Sequence, residues 1–299
     1  MKSAIVWLLL CCIWGSTWLF IKIGLDDLPP ISFAASRFFV AALILAAIIA
    51  AKRLSLPRSL KEWRLVAGTG VLAFALNYGL IFWGEQYISS GLAALLQATI
   101  PVFGLVIAHL HLPAERITPL KFIGVLLGLG GVAVIFSDQL ILAGLSALAG
   151  SVALVVGSIC AAYSDVLVKA YGKTLEPIVI AAAQMFFGLV PLAIVGFIAE
   201  GSPLAFRWTS VAVLSLLYLS IVGSAIAFIL YYWLIRRIEV TKSMMIALVT
   251  PLTAVLLGML VLKESMHWRT VIGGALIMTG IALLVFRSTK NEKTAPSTS

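Results

Sequence analysis

Asp165 stands inside an apolar run of this chain, about 12 Å along the helix axis from its centre, with Lys169 one turn further toward the end. Ser151, Ser158, Ala162, Asp165 and Lys169 follow steps of three, four and seven residues, which places them on one side of a helix. A carboxylate in such a setting must face a partner or a water-reachable interior. The simplest expectation is an i,i+4 ion pair with Lys169; contact with a substrate amine, or carriage of a proton, are the alternatives. Arg37 is the other charge well inside an apolar run. Its long stem can snorkel outward, so a structural anchor is expected, with an anion contact as the alternative. Glu85, Glu115 and Glu264 lie at the ends of apolar runs, where solvation or helix capping is expected.

Uncharged candidates for a binding cavity are Trp14, Thr17, Trp18, Asn77, Gln97, Ser158, Tyr163 and Tyr231, beside Asp165. Aromatic walls with a few polar tips suit amphipathic solutes, amines included. Ser243, Ala247, Pro251, Ala254 and Gly258 recur at helical spacing, as do Ala93, Gln97, Pro101 and Gly104. Small residues at such spacing allow close helix packing or line a cavity. Pro101 and Pro251 each free a carbonyl one turn earlier, so a kink there is a candidate gate. Catalysis finds little support. His109, His111 and His267 belong to no His-Glu-x-x-His pattern, and His109 and His111, two residues apart, point about 200° apart on a helix. Cys11, Cys12 and Cys160 lie in apolar runs and build neither a disulfide framework nor a metal cluster. No Walker motif is present, so neither enzyme nor nucleotide-driven pump is expected, and no cofactor.

The elements that must position these residues follow from composition. With 62% hydrophobic and 11% charged residues, the chain cannot cover a water-facing surface, for which about 25% charged is usual. Ten apolar segments reach the roughly 20 residues that span a hydrocarbon core: 3–24, 30–51, 63–87, 89–111, 118–137, 144–170, 176–199, 209–235, 240–262 and 268–287. In lipid each must be helical, because no water satisfies an open backbone. The first is long, contains Trp14 and Trp18 and lacks a small-residue cleavage site, so it reads as a retained helix. The net charge of +9 forms no continuous patch for nucleic acid. With a cytoplasmic N-terminus, sixteen Lys and Arg fall in inner connections and four in outer ones, a positive-inside pattern that also places the C-terminus in the cytoplasm.

The stretch from Asn77 to Phe136 occurs twice. A shift of 150 lays Trp83 on Trp233, Ile88 on Ile238 and Pro101 on Pro251; a shift of 149 then lays Glu115 on Glu264, Gly124 on Gly273 and Gly131 on Gly280. Earlier helices match at a shift of 147, with Lys22 on Lys169, Pro30 on Pro177 and Phe39 on Phe186. The expected architecture is an all-α integral membrane protein of two five-helix repeats, 1–140 and 141–288, followed by a disordered cytoplasmic tail, 289–299. An odd helix count inverts the second repeat, the arrangement that lets a midplane site open to either side in turn.

Trp14-Gly15-Ser16-Thr17 through Lys22, Pro29-Pro30, Arg37-Phe38, Gly91 to Leu96 leading to Pro101, and Glu115-Arg116 with Gly124 and Gly131 carry a resemblance. So do Met244 through Pro251, Lys263-Glu264 and Gly273 to Gly280. Together they resemble an EamA-type transporter of the drug/metabolite transporter superfamily. The resemblance implies ten helices around a central cavity, and export of a small metabolite, amino acid or drug across the cell membrane. It also makes Arg37 an expected residue. Departures from the family pattern are His109, His111, Gln97 and Asp165. The partners expected are a small-molecule solute and membrane lipid, with a coupling proton through Asp165 as one option, for a monomer or homodimer. A passive channel or a non-transporting sensor is the alternative.

Overall fold

The computed structural model of the chain describes residues 2–88, 90–135, 137, 144–253 and 268–286. Ala254, Gly258, Lys263, Glu264, His267 and the 289–299 tail lie outside the described residues.

Among the described residues every regular element is helical: α1 (Lys2–Leu25), α2 (Pro30–Lys52), α3 (Leu60–Gly70), α4 (Tyr78–Gly84), α5 (Ser90–Gln97), α6 (Ile100–His111), α7 (Pro119–Ile135), α8 (Leu145–Tyr171), α9 (Pro177–Glu200), α10 (Ser210–Ser220), α11 (Ala227–Ile235), α12 (Val240–Met244) and α13 (Trp268–Phe286). A π-helical turn, Val71–Asn77, joins α3 to α4, and a second, Ile221–Ile226, joins α10 to α11. Six helices are long and apolar enough to cross a membrane, namely α1, α2, Leu60–Gly84, α8, α9 and Ser210–Ile235. Shorter apolar helices occupy the remaining expected segments, including Pro119–Val134 and Val240–Thr253. The chain is therefore a multi-pass membrane protein. Its outward side chains agree: Leu8, Phe39, Phe197 and Ile198 are more than half exposed, which water would penalise and lipid does not.

Local chemistry starts and stops these helices. Pro30 and Pro177 sit in the first turns of α2 and α9, where a missing N–H costs nothing. Ser59 and Glu62 form a capping box on α3, and Thr209 caps α10 by accepting from the Ala212 N–H at 3.1 Å. The two caps are themselves tied across the bundle. Thr174 donates to Glu62 Oε1 at 2.9 Å, and Thr209 donates to Asp27 Oδ2. Glu62 and Thr209, like Asp27 and Thr174, are 147 residues apart, so one contact repeats with its partners exchanged.

Helix ends meet in two sets. One holds Glu62 with Thr174, Arg236 with the Gly172 carbonyl at 3.1 Å, Glu115 with the N-terminus of α12, and Trp7 Nε1 with the Lys242 carbonyl at 3.0 Å. The other holds Asp27 with Thr209, and Glu200, which accepts from the Ile31 and Ser32 N–H groups at 2.9 and 2.7 Å. Between them α2 packs on α9 and α7 on α13. The α7–α13 seam is closest at glycine: a Cβ on Gly131 would strike the Gly273 carbonyl, and one on Gly280 would strike the Gly124 carbonyl. Each glycine removes the side chain that would hold the helices apart.

Candidate functional site

The two π turns shape the interior. A π turn inserts one extra residue and leaves carbonyls poorly served along the helix. At Ile221–Ile226 the Gly223 carbonyl is taken by Trp14 Nε1 of α1, at 3.2 Å, and by an Arg37 guanidinium nitrogen of α2, at 3.1 Å. Arg37 Nε donates to Ser224 Oγ at 2.8 Å, and its guanidinium lies 5.0 Å from the centre of the Tyr78 ring. Arg37 is 1% exposed. The outward-snorkelling anchor expected from sequence is thus corrected: the side chain turns inward, and its charge is spread over a hydroxyl, a carbonyl and an aromatic face.

Among these helices lies a cavity of about 130 Å³. Helix α1 contributes Trp14, Thr17, Trp18 and Ile21, and Leu60–Gly84 contributes Ala73, Asn77, Tyr78 and Ile81. Gln97 and Ile100 flank the break between α5 and α6; Ala161 and Asp165 face in from α8, and Phe228 and Tyr231 from α11. Ser243, Met244, Ile246, Ala247 and Thr250 close the remaining wall. Seven sequence candidates therefore meet at one space: Trp14, Thr17, Trp18, Asn77, Gln97, Asp165 and Tyr231.

Asp165 is the acidic side chain of this wall. Tyr231 donates to its Oδ2 at 2.6 Å. The expected pair with Lys169 does not form, because Lys169 Nζ donates to the carbonyls of Ile235, the last residue of α11, and Ile238, just beyond it. A buried carboxylate needs a partner, and here an interhelical phenol supplies it in place of the nearest cation in sequence. Trp14 meets Tyr231 edge-on with ring centres 5.0 Å apart and Phe228 at 5.4 Å, so the rings form a continuous wall beside the carboxylate.

Two candidates fall elsewhere. Tyr163 is 37% exposed and packs against the His111 ring, with centres 5.5 Å apart. Ser158 is fully buried, but its hydroxyl is spent on the Leu96 carbonyl at 3.1 Å and the Leu154 carbonyl at 3.0 Å. It clamps the α5–α6 break to α8 instead of facing the cavity. Pro101 stands in the first turn of α6, just after that break. Pro251 lies within Val240–Thr253, where the Ala247 carbonyl one turn earlier accepts from Thr250 Oγ1 at 3.3 Å. Glu115 caps, as one of its two expected roles, accepting from the Val240 N–H at 2.9 Å.

Tyr78, Phe228 and Met244 line the cavity without having stood out as candidates, being aromatic or apolar residues in apolar runs. The duplication could have found two of them. At a shift of 150, Tyr78 falls on Phe228, Ile81 on Tyr231, Gln97 on Ala247 and Ile100 on Thr250; at 147, Trp14 falls on Ala161 and Trp18 on Asp165. All twelve residues of these six pairs line the same cavity.

Comparison with known proteins gives the fold and the family. A solved crystal structure superposes with a TM-score of 0.82 at 18% identity, covering 97% of this chain and 99% of that one, a likeness of fold. The transporter YoaV of Bacillus subtilis is 31% identical over 94% of this chain and 95% of its own length. The inner membrane transporter YedA of Escherichia coli K12 is 32% identical over 82% and 78%. A probable terminal-alkyne amino-acid exporter of Streptantibioticus cattleyicolor is 27% identical over 99% and 98%. The model of the EamA-like transporter family matches twice, over residues 1–137 and again over 148–286, and the chain belongs to that family.

Proposed function

We propose that this chain is a secondary carrier that exports a small organic solute across the cell membrane by alternating access. Its two units, 1–140 and 141–288, are inverted repeats of five spans each, with both termini in the cytoplasm. The observation that carries this reading is the cavity wall: six pairs of residues related by the duplication face one space from opposite units. A wall built this way has two near-equivalent packings, since each unit can take the other's place, and exchanging them opens the site to one side and then to the other. The exchanged contacts of Asp27 with Thr209 and Thr174 with Glu62, and the crossed approach of Gly131 and Gly280, support the same symmetry. The breaks at Pro101 and Pro251 supply the bending points. Relatives named as transporters, one of them an amino-acid exporter, support a small organic solute and outward movement.

The drive proposed is proton exchange through Asp165. The groups around it are the Tyr231 hydroxyl, the Tyr78 and Tyr232 rings, Arg37 behind Tyr78, and Lys169 one turn away. Neither cation contacts the carboxylate in this conformation, so a proton or a bound solute is left to balance it.

Thiol labelling tests alternating access. With Cys11, Cys12 and Cys160 replaced by Ala, single cysteines at Ile21 and Met244 in the cavity wall are exposed to an impermeant reagent from each face. Alternation is expected to make a condition that raises labelling at one position from its face lower it at the other. Simultaneous labelling of both from both faces would identify a pore and end the carrier reading.

A further inference from the structure

We propose that the solute is a small organic cation, a protonated amine with an apolar body, and that Asp165 is its counter-charge. This deepens the carrier reading above and rests on it for the transport step, whereas the binding chemistry stands on the cavity itself.

Charge comes first. Among the described residues the lining contains one acidic side chain, Asp165, and no Lys, Arg or His. Arg37 sits behind Tyr78 and outside the lining, with Nε and one terminal nitrogen on Ser224 and Gly223 and the other buried without a partner, so the carboxylate of an amino acid would meet no cationic side chain among the described residues of this wall. An anion would be repelled by the Asp165 carboxylate, which is costly at this range. A monocation cancels the charge.

Hydrogen-bond polarity points the same way. Several lining donors are spent inside the protein: Trp14 Nε1 on the Gly223 carbonyl, Thr17 on the Trp14 carbonyl, Gln97 Nε2 on the Leu154 carbonyl, Tyr231 on Asp165 and Thr250 on the Ala247 carbonyl. The Asp165 carboxylate accepts from Tyr231 and keeps lone pairs for further donors, which an ammonium supplies, because it brings three donors and no acceptor.

Shape limits the rest. Trp14, Tyr78, Phe228 and Tyr231 give ring faces beside the carboxylate, the setting in which a desolvated cation gains most from aromatic quadrupoles. A volume of about 130 Å³ is close to that of a dry cavity of ~150 Å³ known to hold benzene, so the apolar body is about one ring in size.

The test is isothermal titration of the purified full chain in detergent with four probes that share one ring: benzylamine, benzyl alcohol, benzoate and phenylglycine. Benzylamine is expected to bind more tightly than the neutral, anionic and zwitterionic probes. Asp165→Asn is expected to weaken it about 100-fold, the scale for removing one member of a buried charge pair. Tyr231→Phe should keep binding within about tenfold, because the carboxylate remains. Tyr163→Phe, outside the cavity, should leave it unchanged, and a melting curve for each variant separates lost binding from lost fold. Phenylglycine or benzoate binding as tightly as benzylamine would overturn the proposal, as would benzylamine binding that Asp165→Asn leaves intact, or no benzylamine binding at all. None of these results alters thiol accessibility at Ile21 and Met244, so the carrier reading stands or falls separately.

Discussion

The α7–α13 seam offers a quantitative test of how the two halves meet. An added Cβ on Gly131 would lie closer than 3.0 Å to the Gly273 carbonyl oxygen and 2.8 Å from Ile277 Cγ1, while ordinary contact begins near 3.4 Å. Gly131→Ala must therefore push the helices apart by more than about 0.4 Å along a backbone-to-backbone contact with no flexible end to yield. Overpacking of this kind costs about 1–3 kcal/mol, and alanine returns up to ~1 kcal/mol of helix propensity, leaving a net loss near 1–2 kcal/mol. Gly130→Ala is the control: nothing lies within 4 Å of its Cβ, so only the propensity gain applies and stability should hold or rise. Gly280→Ala repeats the clash against the Gly124 carbonyl and should cost about as much as Gly131→Ala. The double variant is the sharper measurement. Once the helices have parted for one methyl group, the second finds room already made, so the combined loss should fall short of the sum by about 0.5 kcal/mol or more. Apparent melting temperatures of detergent-purified variants, followed by fluorescence-detected size exclusion, read all four. Equal losses at Gly130 and Gly131, or strict additivity of Gly131→Ala with Gly280→Ala, would refute the close crossed approach.

Two further outcomes follow from the polar contacts. Arg37→Ala should destabilise the fold by about 2–5 kcal/mol, through a lost buried side chain and the unpaired Ser224 hydroxyl, and Arg37→Lys should recover only part of it, since an ammonium cannot reproduce the planar contact with Tyr78; melting temperatures of the two variants check this. Glu115→Ala should cost about 1–2 kcal/mol by uncapping the Val240 and Thr241 N–H groups, with Glu115→Gln intermediate because it keeps a neutral acceptor, read by the same melts and by faster hydrogen exchange at those two amides.

The membrane class was legible because it rests on composition and run length, which need no knowledge of neighbours. Helix faces were legible only in part. Asp165 was expected to face inward and does, but its partner was sought four residues away, at Lys169, and is found 66 residues away, at Tyr231. Periodicity reports which residues share a side of one helix and says nothing of what another helix brings to that side. Tyr163 could have been excluded by the rule already applied to the histidines: two residues from Asp165, it points about 200° away from it on α8. Ser158 shares the inward side but meets the α5–α6 break, which no spacing in α8 announces. Arg37 turned inward because the π turn at Ile221–Ile226 frees a carbonyl to receive it, and π turns carry no mark in sequence.

The duplication carried more about the site than any single residue type did. Its paired positions face one cavity, yet the members of a pair seldom match in chemistry: Trp18 stands opposite Asp165, Ile81 opposite Tyr231, Gln97 opposite Ala247 and Ile100 opposite Thr250. A wall symmetric in side chains as well as backbone would offer a guest two equivalent poses and a carboxylate in each. Two carboxylates so close in a space of about 130 Å³ would repel, and one would be held neutral. Replacing one member of each pair keeps the backbone relation that permits two packings while leaving a single charge to orient the guest. On the proposed carrier reading, the repeat governs how the site opens, and the departures from the repeat govern what it holds.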